Sequence, residues 1–80
     1  MKVREFLVQF RSFRDIQDFV ALASKQSVRL NVGNEWFRVN ASSMMGMLAL
    51  NCRSPQKVTV DCSDEEYDQL MTAFDRFLVK

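Results

Sequence analysis

The apolar residues of this chain switch repeatedly between a period of two and a period near 3.6, and that switching constrains the fold more than any other feature. Over Arg4–Phe10, Phe6, Val8 and Phe10 alternate with Glu5, Leu7 and Gln9, which predicts a strand with Leu7 off the pattern. After Ser12 the apolar residues Phe13, Ile16, Phe19, Val20 and Ala23 fall at helical spacing. Ser12 suits the N-cap, Asp15 suits the positive first turn, and Lys25 lies near the C-terminal end. Val28, Leu30 and Val32 then alternate with polar residues, Gly33-Asn34 signals a two-residue hairpin, and Phe37, Val39 and Ala41 alternate with Trp36, Arg38 and Asn40. A short helix is expected from Ser43 to Leu50, and the loop Asn51–Gln56 ends it. Lys57–Cys62 reads as a strand that buries Val58, Val60 and Cys62. Ser63 and Glu66 form a capping box for a last helix carrying Tyr67, Leu70, Met71, Phe74, Phe77 and Leu78.

The resulting order, βαββαβα, is that of an α+β open-faced β-sandwich: a four-stranded antiparallel sheet with three helices on one face. Residues 1–80 are expected to form a single domain around one core. Eleven Lys and Arg against ten Asp and Glu give no basic excess, which argues against nucleic acid as a partner. No run is long enough to span a bilayer, and MKVREFLVQF lacks the apolar core of a signal peptide, so a cytoplasmic location is expected. Cys52 and Cys62 lack CxxC spacing, and the chain contains no histidine. They read as reduced, partly buried thiols, with no metal site.

Val39–Leu50, VNASSMMGMLAL, carries a more specific signal. Ser43, Met44, Met45, Gly46, Met47, Leu48, Ala49 and Leu50 match the pattern S-(I/M)-M-G-x-(M/L)-x-L, and the segment resembles the regulatory-serine region of HPr, the small phosphocarrier family of the bacterial sugar phosphotransferase system. Phe19-Val20-x-x-Ala23-Ser24-Lys25 resembles the end of that family's first helix, and Val58-Thr59-Val60 with Asp64-Glu65 resembles its last strand and the acidic start of its final helix. The element order agrees along the whole chain.

The resemblance also shows what has changed. In HPr a phosphorylated histidine sits at the N-terminus of the first helix, in a G-[IL]-H-A-R-P-A pattern. Aligned back from Val20, Ser12 takes the histidine position, Phe13 the alanine, Arg14 the arginine and Asp15 the proline. Only Arg11 separates Phe10 from Ser12, where the family has a glycine-containing loop. A chain without an imidazole cannot carry phosphate on one. Three readings of Ser12 and Arg14 stand: a helix cap beside a solvated arginine, residual anion binding with Arg11 and the helix amides, and a serine phosphoacceptor. The last is the weakest, since a serine phosphoester lacks the transfer chemistry of a phosphoimidazole and Asp15 is a poor neighbour for more negative charge.

Ser43 has the stronger functional case. The resemblance implies phosphorylation there by an ATP-dependent kinase/phosphorylase, followed by binding to a catabolite-control transcription regulator; the alternative is that Ser43 or Ser42 only caps the helix. Ser42 stands where the family often has a basic residue. By position, Met44, Met45 and Leu48 inherit the family's partner-docking role, and methionine side chains adapt to varied surfaces. A helix of about two turns cannot bury all of Met44, Met45, Met47 and Leu48, so at least one methionine is expected to be exposed beside Ser43. The expectation is an HPr-like regulatory or partner-binding protein, not an enzyme and without a cofactor, monomeric or weakly dimeric. His-lacking members of the family, which keep the serine and act in carbon-catabolite signalling, offer the analogy. The alternatives are a degenerate interaction module and an accessory subunit, neither phosphorylated.

Overall fold

A computed structural model describes residues 2–34, 36–50 and 53–79. The chain runs β1 (Lys2–Val8), α1 (Phe13–Ser24), β2 (Leu30–Gly33), β3 (Arg38–Asn40), α2 (Met44–Leu48), β4 (Gln56–Cys62) and α3 (Asp64–Ala73), followed by a 3₁₀ turn over Asp75–Phe77. The four strands form one antiparallel sheet in the order β1-β4-β2-β3. This is the α+β open-faced sandwich that the changing periods predict.

The pairing register explains which side chains are buried. Phe6 lies opposite Val58, and Val58 opposite Val32; Arg4 lies opposite Val60, and Val60 opposite Leu30. Side chains alternate across a strand, so Val58, Val60 and Cys62 share one face with Val8, Leu30 and Val32, and all six are buried. That face is covered by the helices. Phe19 of α1 is the hub, with ring centroids 5.0 Å from Phe10, 5.2 Å from Phe74 and 5.4 Å from Phe77. Tilted and edge-on ring pairs at these distances add to what area burial alone contributes.

Each helix begins where the sequence supplies a cap. Ser12 Oγ accepts the Asp15 N–H, and Ser63 Oγ accepts the Glu66 N–H. Glu66 accepts the Ser63 N–H in return, which completes the expected capping box.

Several local expectations need correction. β1 lies two residues earlier than the alternation suggests, and Phe10 is buried beyond its end. Gly33 is not in a two-residue turn: it pairs with Arg38, and the connection spans Asn34 to Phe37. The Asn34 side chain accepts the amides of Trp36 and Phe37, which closes the longer loop. Gly33 itself has φ 150°, which a side chain would resist. Phe13 and Phe37, both assigned to inward faces by periodicity, are about half exposed at 55% and 50%. α2 ends at Leu48 rather than Leu50. α3 ends at Ala73 rather than running on to Leu78. Leu78 instead bridges to Val8, with the Val79 N–H donating to the Leu7 carbonyl and the Gln9 N–H to that of Phe77. Cys62 is buried as expected, whereas Cys52 and the start of the Asn51–Gln56 loop lie outside the described residues.

Candidate functional site

Two helix N-termini were singled out by sequence, and they differ in chemistry. At α1, Ser12 is exposed but its Oγ is engaged by the Asp15 N–H at 3.2 Å. The Asp15 carboxylate folds back over the helix end. Its Oδ2 accepts the Arg11 N–H at 3.0 Å, and its Oδ1 accepts Arg76 Nη2 at 2.7 Å. Arg76 also reaches Asp18 at 3.5 Å and lies over the Phe77 ring, 4.2 Å from its centroid. Arg14 turns along the helix to Asp18, 3.3 Å away, in an i, i+4 pair. Ser12 and Arg14 therefore do not converge on an open anion site; the acidic side chains of α1 take the donors first. Spacing could not reveal the Asp15–Arg76 pair, because its partners are 61 residues apart.

At α2, Ser43 caps the helix by accepting the Gly46 N–H at 3.1 Å. The Ser43 N–H donates to the Asn40 carbonyl, and its own carbonyl accepts the Met47 N–H. No acidic residue lies in the first turn. Gly46 sits in a tight spot, since a Cβ would lie 3.0 Å from Val39 Cβ and 3.2 Å from Ser43 Oγ, and those side chains would have to give by a few tenths of an ångström. The absent side chain lets α2 lie close on β3. Ser42 is held by Asn40, whose Oδ1 accepts both its amide and its hydroxyl.

The side chains of α2 divide cleanly. Met47 is completely buried and Met44 is half-buried. Met45 is 86% exposed and Leu48 51% exposed. These two, with the half-buried Met44, leave apolar surface beside Ser43, as the helix length requires. Trp36, at 91%, is the most exposed large apolar side chain among the described residues.

The two serines are not brought together. Ser42 lines a cleft of about 250 Å³ with Ala23, Ser24 and Arg29, which puts the start of α2 at the C-terminal end of α1. Ser12 is at the other end of that twelve-residue helix, about 18 Å long at 1.5 Å per residue. Among the described residues there is no group of acidic and thiol side chains able to hold a metal ion, and no helix is long and apolar enough to cross a membrane. Burial pushes the Cys62 thiol above its ordinary pKa, partly offset by the Arg4 charge, which is the opposite of what a nucleophilic thiol needs.

Comparison with known proteins completes the description. No curated protein matches the sequence significantly. The crystal structure of HPr-C-His from Thermoanaerobacter tengcongensis superposes with a TM-score of 0.69 at 26% identity, covering 94% of this chain and 92% of the other. A phosphocarrier protein HPr from Bacillus anthracis str. Ames shares the fold, with a TM-score of 0.67 at 23% identity over 90% and 94% of the two chains. Residues 12–80 match the family described as the PTS HPr component phosphorylation site. That match begins at the α1 cap and takes in the Ser43 helix and the final helix, so this histidine-free chain belongs to the HPr family.

Proposed function

We propose that this protein is a regulatory, partner-binding member of the HPr family that acts through Ser43 and the apolar surface beside it rather than as a histidine phosphocarrier. The observation that carries this reading is the contrast between the two helix starts. Ser43 is exposed at an N-terminus with no carboxylate in its first turn and with Met45 projecting next to it. Ser12 has Asp15 folded over it. A phosphate on Ser43 would sit at the positive end of α2 and would not meet a like charge from that turn, so modification is compatible with the folded chain. Met45, Leu48 and the exposed part of Met44 then supply adaptable apolar contact to a protein partner. By analogy with the family, the modifying enzyme is its ATP-dependent serine kinase/phosphorylase and the reader a transcription regulator, in the cytoplasm.

The test is intact mass spectrometry after incubation with ATP and that kinase, alongside Ser43→Ala and an ordinary HPr. One added phosphate, absent from Ser43→Ala, supports the switch. No addition while the ordinary HPr is modified removes it and leaves an interaction module without phosphorylation. Ser42 in place of the family's basic residue favours that second outcome.

A further inference from the structure

The helices cover one face of the sheet, and the other face ends beside an exposed tryptophan. Alternation along β1 places Val3, Glu5 and Leu7 on that open face, away from the buried Val8. The register then sets Leu7, Lys57, Gly33 and Arg38 side by side across the four strands. Leu7, Trp36 and Pro55 are exposed, and with Gly33, Asn34 and Lys57 they line a cleft of about 400 Å³. We propose that this cleft is a docking site, separate from the Ser43 side, for an extended acidic segment of another protein. An apolar side chain of that segment fills the cleft, and the carboxylates flanking it meet Lys57 and Arg38.

Charge and geometry select that occupant. Lys57 and Arg38 stand two strands apart, about 10 Å, and Gly33 between them brings no side chain. The two cations therefore bracket a gap. Asn34 orders the backbone around it before anything binds: its side chain accepts the amides of Trp36 and Phe37, and its carbonyl accepts Arg38 Nε at 3.3 Å. The indole of Trp36 is left as a large apolar surface for a partner to cover. Glu5 is an opposing charge, with Oε2 3.5 Å from Lys57 Nζ, but both side chains are partly exposed and such a pair yields to a competing carboxylate. A second copy of the chain fits less well, because a two-fold contact centred on Trp36 would set Lys57 and Arg38 of both copies against each other. A bilayer also fits less well, since the site is concave and eleven basic against ten acidic residues give an anionic surface little hold.

The experiment is an NMR titration with the peptide acetyl-Gly-Glu-Gly-Leu-Gly-Glu-Gly-amide, alongside versions with Gln or Lys in place of both Glu. In an extended chain its Glu, Leu and Glu share one face, with the two Glu about 13 Å apart, within reach of both cations. The Glu peptide is expected to shift the Trp36 indole N–H and the amides of Gly33 and Lys57 saturably. Trp36→Ala and Arg38→Gln/Lys57→Gln are each expected to weaken binding at least about tenfold, and the Gln and Lys peptides to bind at least about tenfold more weakly than the Glu peptide. No saturable shift below about 5 mM peptide would overturn the proposal, as would equal binding of the Gln peptide or shifts centred on α2. Shifts of the same resonances on dilution of the protein alone would assign the cleft to a second copy instead. Trp36-dependent binding to phosphatidylglycerol vesicles, with none to the peptide, would assign it to a membrane surface; either result overturns the protein partner.

Discussion

Ser43 caps α2 in this structure, the proposed function asks it to accept added charge as well, and a pair of substitutions divides the two. Ser43→Ala removes the acceptor of the Gly46 N–H, a loss that at other helix N-caps costs about 0.5–2 kcal/mol. α2 has only five residues, so it has little else to hold its first turn. Its one fully buried side chain is Met47, and exposing such a side chain costs about 1.5–3 kcal/mol. The expected loss for Ser43→Ala therefore lies between about 1 kcal/mol, with the helix intact, and about 3 kcal/mol, with α2 frayed. Ser43→Asp restores a cap of equal quality and adds negative charge at the helix start, where the first turn has no carboxylate to oppose it. It is expected to fall within about 0.5 kcal/mol of the wild type. Urea unfolding followed by far-ultraviolet circular dichroism is the appropriate assay, because Trp36 is too exposed to report on burial. In a thermal melt of a domain this size, each kcal/mol lowers the midpoint by about 4–8 °C. If Ser43→Asp proves as destabilising as Ser43→Ala, negative charge is not tolerated at this position, and the physical case for phosphorylation of the folded chain fails.

Other expectations rest on the core and the backbone. Phe19→Ala should cost about 3–5 kcal/mol in urea unfolding, since Phe19 is fully buried and contacts three other rings; a cost below 1 kcal/mol would mean that the cluster does not hold α1 to the 3₁₀ turn. Gly33→Ala should cost about 1–3 kcal/mol or more, because the new Cβ would run into the Phe37 carbonyl oxygen and come within 3.0 Å of Arg38 Cα at φ 150°. In a Cys52→Ser background, iodoacetamide should alkylate Cys62 only at the rate of global opening. Its thiol pKa is raised in the folded chain, so the native state keeps the proton after the unfolded chain has lost it. Stability from this group is therefore complete below about pH 8.5 and falls as pH rises above it, and Cys62→Ala should flatten that part of the pH profile.

The features legible in the sequence are those decided within a few residues. Ser12, Ser43 and Ser63 each sit three residues before the amide they cap, and the Val58, Val60 and Cys62 alternation needs only a buried face to be correct. The errors lie where a distant partner decides. Phe74 and Phe77, three apart, fit an α-helix and a 3₁₀ turn equally well. What ends α3 is that Leu78 pairs with Val8 and Val79 with Leu7, and no local pattern carries that information. Phe13 fits an apolar stripe by spacing, yet it opens α1, where a side chain can overhang the end of the layer beneath.

The same division runs through the candidate sites. Ser43 with Met45 and Leu48 is local: the cap follows from residue spacing and the exposure from the length of α2. Asp15 is legible only as a first-turn acid favoured by the helix dipole, which is true but incomplete. What changes its meaning is Arg76, which is far along the chain and is presented by the same 3₁₀ turn that periodicity missed. The two omissions are therefore one: where α3 ends determines where Arg76 points, and Arg76 pairs with the Asp15 carboxylate at the start of α1. The carboxylate of Asp15 thus takes one donor from its own neighbourhood, the Arg11 N–H, and one from the other end of the sequence, Arg76.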